Sequence, residues 1–257
     1  MDNFIIVLAL VFGGQTIGAA TGLLFRPSDR LLRASLAFAA AMMLSLSFTE
    51  LIPDGLGMAP PFVIIASFIA GFAGFGVIDF ILPHVHPEFL KADPHCKIIN
   101  PKTGKKQSED SVRRSVHMLI VGMCLHNIPE GLAVGLGLAI DPGMGLMIAF
   151  AIAIQDIPEN LATIVPLYCI NKSKSTSFLT LLATVIFELA GFAVGYFLMG
   201  GANLEIVGAA LAMAAGFMTY ISVDELIPSA QFRERPLLAS ASFALGVAVV
   251  LLLSTLG

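Results

Sequence analysis

Long apolar stretches alternate with short polar ones along this chain, and the apolar stretches set its architecture. Eight of them can be marked, at about 3–25, 33–53, 61–83, 114–140, 143–169, 177–200, 203–229 and 237–256. A helix rises about 1.5 Å per residue, so about 20 residues cross the roughly 30 Å hydrocarbon core of a bilayer. The pattern predicts an all-α integral membrane protein with eight transmembrane helices. The polar intervals test that count. All 14 Lys and Arg follow odd-numbered spans: Arg26, Arg30 and Arg33; Lys91, Lys97, Lys102, Lys105, Lys106, Arg113 and Arg114; Lys172 and Lys174; Arg233 and Arg235. The loops near 54–60, 141–142 and 201–205 carry none. Basic residues stay on the cytoplasmic side, so the odd loops are expected inside and both termini outside. The one sizeable polar loop, about 84–112, is then cytoplasmic, and the chain reads as a single transmembrane domain over 1–257. No basic segment precedes the first apolar run, which reads as a span rather than a cleaved leader.

Composition narrows the classes. With 57% hydrophobic and 12% charged residues in 257, this is no water-soluble domain. The formal charge of −4 includes no basic patch, so nucleic acid is excluded as a partner. Cys96, Cys124 and Cys169 form no C-x-x-C pair, and neither a disulfide framework nor a zinc ribbon is expected. Cys124 reads as a small buried hydrophobe.

The chemistry lies where polar residues interrupt the apolar runs. Residues 126–131 read His-Asn-Ile-Pro-Glu-Gly, and 155–160 repeat the text as Gln-Asp-Ile-Pro-Glu-Asn. Each motif falls about 18 Å into its span at about 1.5 Å per residue, near the bilayer centre. Polar groups are costly there, and their presence asks for a function. His126 and Glu130 share a helix face at i, i+4, as do Gln155 and Glu159. Together they offer one imidazole, two carboxylates and an amide oxygen, a set suited to Zn²⁺, Fe²⁺ or Mn²⁺ and, lacking thiolate, unsuited to Cu⁺. Asn127 and Asp156 point about 100° away and could build a second site beside the first. Pro129 and Pro158 leave the carbonyls of Leu125 and Ile154 without their helical donors. Glu188, isolated in span six at a similar depth, joins the candidates.

Other polar residues read more plainly. Gly14, Gly18 and Gly22 mark a close-packing face, and Gln15 and Thr16 are expected to serve helix packing. Asp79 is expected to be solvated or capping. His84, His86, His95 and Cys96 in the polar loop could hold a soft metal. Glu50-Leu-Ile-Pro53 in span two recurs as Glu225-Leu-Ile-Pro228 in span seven, which runs the opposite way. With the paired motifs of spans four and five, this predicts a 3+2+3 inverted repeat, an arrangement that places a transporter's site at the midplane.

On these residues the chain resembles the ZIP metal transporters, and especially their GufA-like bacterial branch. His-Asn-Ile-Pro-Glu-Gly matches the family's first motif, and Gln-Asp-Ile-Pro-Glu-Asn is similar to the Gln-containing form of that branch, with Asn160 in place of the usual glycine. The resemblance implies a first metal site of His126, Glu130, Gln155 and Glu159. It implies a second of Asn127, Asp156 and Glu188, bridged by Glu130 and Glu159, with Met43 near the metal. It implies import of a divalent metal (Zn²⁺ foremost; Fe²⁺, Mn²⁺ and Cd²⁺ as candidates) toward the cytoplasm without ATP, and an elevator movement of spans 1, 4, 5 and 6 against 2, 3, 7 and 8. The metal is cargo, and no cofactor is expected. The partners are the ion and the lipid of a cell membrane, with a homodimer as the candidate assembly. Two other classes stand beside this reading. A cation-coupled carrier of an organic solute would use His126 and the acids as a proton relay. An intramembrane metal-dependent hydrolase would need three firm ligands and an activated water, and the sequence has one deep histidine and no H-E-x-x-H.

Overall fold

The computed structural model describes residues 2–25, 27–81, 91–92, 98–99, 109–199, 201–230 and 236–255. Its helices are α1 (Asp2–Phe25), α2 (Asp29–Leu46), α3 (Ile52–Met58), α4 (Pro61–Ile81), α5 (Glu109–Ile140), α6 (Pro142–Asn171), α7 (Lys174–Leu182), α8 (Val185–Ala193), α9 (Leu204–Ile221), α10 (Ile227–Ala230) and α11 (Pro236–Ser254). Three π-helical turns, Ser47–Leu51, Val194–Met199 and Ser222–Leu226, join or extend them. Within the polar loop, β1 (Lys91–Ala92) pairs antiparallel with β2 (Ile98–Ile99), Lys91 opposite Ile99.

Eight helical segments are long and apolar enough to cross a membrane: Asn3–Phe25, Arg30–Met58, Pro61–Ile81, His117–Ile140, Pro142–Asn171, Lys174–Phe197, Leu204–Ala230 and Pro236–Ser254. The protein is a multi-pass membrane protein. Its short connections start helices with capping side chains. Ser28, Asp141, Ser173 and Asn203 each accept from the backbone N–H three residues on, which satisfies a donor the helix start leaves orphaned. Lys172, in the left-handed region at φ 53°, ends α6.

Three spans depart from an uninterrupted helix. Span two does not stop at Pro53 but runs on to Met58. The π turn before it lets Ile52 N–H reach back to Ser47, and Pro53 then falls in the first turn of α3, where no N–H is needed. The second copy of the text does the same: Ile227 N–H bonds Ser222, and Pro228 falls in the first turn of α10. In both, the serine hydroxyl donates to the carbonyl four residues back, Ser47 to Met43 at 2.9 Å and Ser222 to Met218 at 2.8 Å. Span six breaks at Ala183–Thr184. There the Thr184 hydroxyl donates to the Leu181 carbonyl at 2.7 Å, a local bond that competes with the helical ladder.

Glycines decide which helices touch. A Cβ on Gly14 would run into the Ala153 carbonyl oxygen, and one on Gly18 into that of Ile157, so α1 lies backbone to backbone on α6. On the other side, a Cβ on Gly131 would collide with the Glu188 carbonyl and one on Gly191 with that of Ile128, a reciprocal contact that joins α5 to α8. The same relation joins α4 to α9 through Gly71 and Gly216, and Gly246 of α11 sits against Phe38 of α2. The largest buried cluster draws on α2, α9, α5 and α6, which pack on one another, and includes many alanines: Ala37, Ala39 and Ala40 on α2, Ala210, Ala214 and Ala215 on α9, Ala133 on α5, and Ala149 and Ala151 on α6. Phe62, Phe80 and Leu237 point outward, as lipid-facing residues do.

Candidate metal centre

The two motifs lie in the middle of α5 and α6, which run continuously through Pro129 and Pro158. The i, i+4 spacing places His126 and Glu130 on one face of α5, and α6 packs against it. The His126 Nε2 lies 3.5 Å from Glu130 Oε1 and 3.1 Å from Glu159 Oε2. One ligand-capable atom from each of His126, Glu130 and Glu159 falls within 4.8 Å of the others, close enough to share an ion. Gln155 closes the group by donating its amide N–H to Glu130 Oε1 at 2.5 Å. Its own amide oxygen stays free of hydrogen bonds.

The second set is adjacent. Asp156 is within electrostatic reach of Glu188, Glu130, Glu159 and His126. Asn127 donates to the Thr184 carbonyl at 3.2 Å and lies 3.4 Å from its hydroxyl, so the break in span six supplies the amide's partner. Glu188 sits in the first turn of α8, immediately after that break, and accepts from the Gln15 amide at 2.5 Å. Asn160, the departure from glycine in the second motif, donates to the Asp156 carbonyl at 3.0 Å and packs over Gly18. Met43 is fully buried on α2, which packs along α6.

Several readings of single residues change. Gln15 does more than pack helices: it is 2% exposed and hydrogen-bonded to Glu188, while Thr16 is half-buried. Asp79 is neither simply solvated nor a cap; the Tyr220 hydroxyl, on the packed face of α9, donates to it at 2.9 Å. Cys169 is disulfide-bonded, although no spacing motif announces a bridge. Cys124 is free and half-buried rather than fully buried. His84, His86, His95 and Cys96 lie outside the described residues. Gln15 and Thr184 are contributors that the sequence did not assign to the centre. The signal for Gln15 was no more than an amide amid the small residues of a spanning helix.

The donor set can be tested against a cation. His126, Asn127, Glu130, Gln155, Asp156, Glu159 and Glu188 are all between 0 and 3% exposed. Yet Glu130 Oε2, Gln155 Oε1, Asp156 Oδ2, Glu159 Oε1 and Glu188 Oε1 have no hydrogen-bond partner. A buried polar atom left unpaired costs about 1–3 kcal/mol, and more when charged. No Lys or Arg stands between 115 and 171 or between 175 and 232 to neutralise the four acids. Four acids and two amides around a single imidazole, with no Lys or Arg, leave oxygen acceptors in excess and fit a divalent cation of the first transition row.

Comparison with known proteins agrees. The sequence model of the family described as ZIP Zinc transporter matches residues 91–254, which include both motifs. The zinc transporter ZupT of Escherichia coli O7:K1 (strain IAI39 / ExPEC) is 35% identical over 232 residues, covering 88% of this chain and 86% of its own. That of Enterobacter sp. (strain 638) is 33% identical over the same coverage. With the motifs, the eight helices and this similarity along most of its length, the chain belongs to the ZIP zinc transporter family.

Proposed function

We propose that the protein carries divalent transition-metal ions, Zn²⁺ foremost and Fe²⁺, Mn²⁺ or Cd²⁺ as alternatives, across a cell membrane toward the cytoplasm. The observation that carries this reading is the convergence of unpartnered buried acceptors at mid-helix, with no Lys or Arg among them. His126, Glu130, Gln155 and Glu159 form the first metal subsite. Asn127, Asp156 and Glu188 form the second, with Glu130 and Glu159 shared and Met43 offering a soft ligand at the edge. Carboxylates and amides rather than three histidines favour an ion that must leave again. That, and relatives named as transporters, speaks for a carrier rather than an enzyme.

Packing supports the 3+2+3 arrangement over a single domain. The α1–α6 contact has its counterpart in α5–α8, and α2–α11 in α9–α4, as exchange of spans 1–3 with 6–8 and of 4 with 5 requires. Positive charge places both termini outside. The two groups of paired helices correspond to the blocks of an elevator, spans 1, 4, 5 and 6 against 2, 3, 7 and 8. The surrounding lipid is the one other partner assigned, and a homodimer remains the candidate assembly.

Uptake of Zn²⁺, Mn²⁺ and Fe²⁺ into proteoliposomes tests the reading. Saturable uptake is expected in the wild type and is expected to vanish in Glu130→Ala, Glu159→Ala and His126→Ala while each variant stays inserted and monodisperse. Unchanged uptake by both glutamate variants would sink the site. No uptake of any metal by a folded wild type would favour the organic-solute carrier.

A further inference from the structure

α1 is pinned to α6 by Gly14 and Gly18, neither of which has room for a Cβ. That register brings Gln15, the residue after Gly14, to the second subsite. Its amide Nε2 donates to Glu188 Oε2 at 2.5 Å, across 173 residues of sequence, with both side chains buried. A carboxylate accepts and does not donate, so the amide nitrogen is the atom facing it. The bond satisfies one oxygen of Glu188 and leaves the other, Oε1, unpartnered. It also leaves the Gln15 amide oxygen buried without a partner.

We propose that Gln15 is a positioning residue of the second metal subsite: it fixes the rotation of Glu188 and leaves one carboxylate oxygen for the ion. The inference rests on the transport reading above. A neutral donor suits this task. Lys or Arg in the same place would hold the carboxylate equally well but would cancel its charge and repel the cation. An aliphatic residue would leave both oxygens unconstrained. The amide oxygen, turned away from Glu188, is an acceptor for a water the ion retains. Residues that hold a ligand through a hydrogen bond tune affinity for the ion without touching it.

The test uses the full chain in detergent and in proteoliposomes, with Zn²⁺ as probe, and compares wild type, Gln15→Leu, Gln15→Met, Glu188→Gln and the Gln15→Leu/Glu188→Gln double variant. Gln15→Leu and Gln15→Met are expected to raise the KM for uptake by about ten- to a hundredfold, as loss of such an orienting partner does, with a maximal rate little changed. In the double variant, loss of Gln15 should add nothing to loss of Glu188, because both changes remove one interaction. A KM equal to wild type in both single variants would overturn the inference, and so would an additive loss in the double variant. If both single variants failed to reach the membrane folded, Gln15 would be structural and the proposal would fall. A wild type that transports while the Gln15 variants match it removes only this inference; a wild type that takes up no metal removes the transport reading itself.

Discussion

His126 supplies the imidazole of the centre, and its Nε2 is held between two carboxylates that belong to different helices. Gln155 stands at the position whose counterpart in the first motif is that histidine, so one side of the centre offers a softer nitrogen and the other a hard amide oxygen. Gln155→His would replace that oxygen by a second imidazole while keeping the i, i+4 relation to Glu159. The expected result is a shift of preference toward Zn²⁺ over Mn²⁺ in competitive uptake, with thermal stability changed little; an unaltered preference would mean that residue 155 does not face the ion. At this scale the sequence was legible where its text repeats. Both motifs, Glu188 and the i, i+4 spacing could be read directly, because an acid deep in an apolar run is too costly to keep unless it serves a site. Gln15 could not. A single amide on a glycine-lined helix is ambiguous until the helix it meets is known, and the Gln15–Glu188 bond spans 173 positions. The Asp79–Tyr220 bond was hidden for the same reason.

Helices, as elements, were legible from hydrophobic length, and their interruptions were not. Pro53 and Pro228 looked like ends; each lies in the first turn of a new segment after a π turn that absorbs the missing N–H. Each π turn holds one residue more than an α turn, so the helix face beyond it is rotated by about 100° relative to a uniform helical wheel. The break at Ala183–Thr184 likewise carries no proline or glycine to mark it; a threonine hydroxyl bonded to its own chain is a weak signal in sequence. Element contacts are testable through two neighbouring glycines. Gly14→Ala forces a Cβ into the Ala153 backbone, whereas at Gly13 a Cβ meets nothing within 4 Å. Overpacking of this kind costs about 1–3 kcal/mol, so Gly14→Ala should lower the melting temperature by several degrees and reduce uptake. Gly13→Ala should be neutral or slightly stabilising, as a helix prefers alanine. Equal melting curves would show that α1 does not rest on α6 through this face.

Across the whole molecule, the charge pattern predicts an orientation that labelling can check. A membrane-impermeant maleimide added to intact cells should label cysteines introduced at Gly57 and Gly143, at the helix ends beside the connections from even to odd spans, and leave one at Lys174 unlabelled until the membrane is opened. Labelling of Lys174→Cys from outside would invert the topology and with it the direction of transport. The buried core offers a further consequence. Its alanines belong to one buried cluster that draws on α2 and α9 of one proposed block and α5 and α6 of the other, alongside larger residues such as Leu46, Leu136, Ile152 and Leu211. An alanine has no side-chain torsion to reset, so a face made of them presents nearly the same low relief at successive positions along the helix. Interlocked leucines would have to withdraw and re-seat at each step. In the proposed elevator, the part of the contact that falls on such alanines would let one body slip past the other with little change of fit, and in mechanical terms that part would behave as a plain bearing rather than a ratchet.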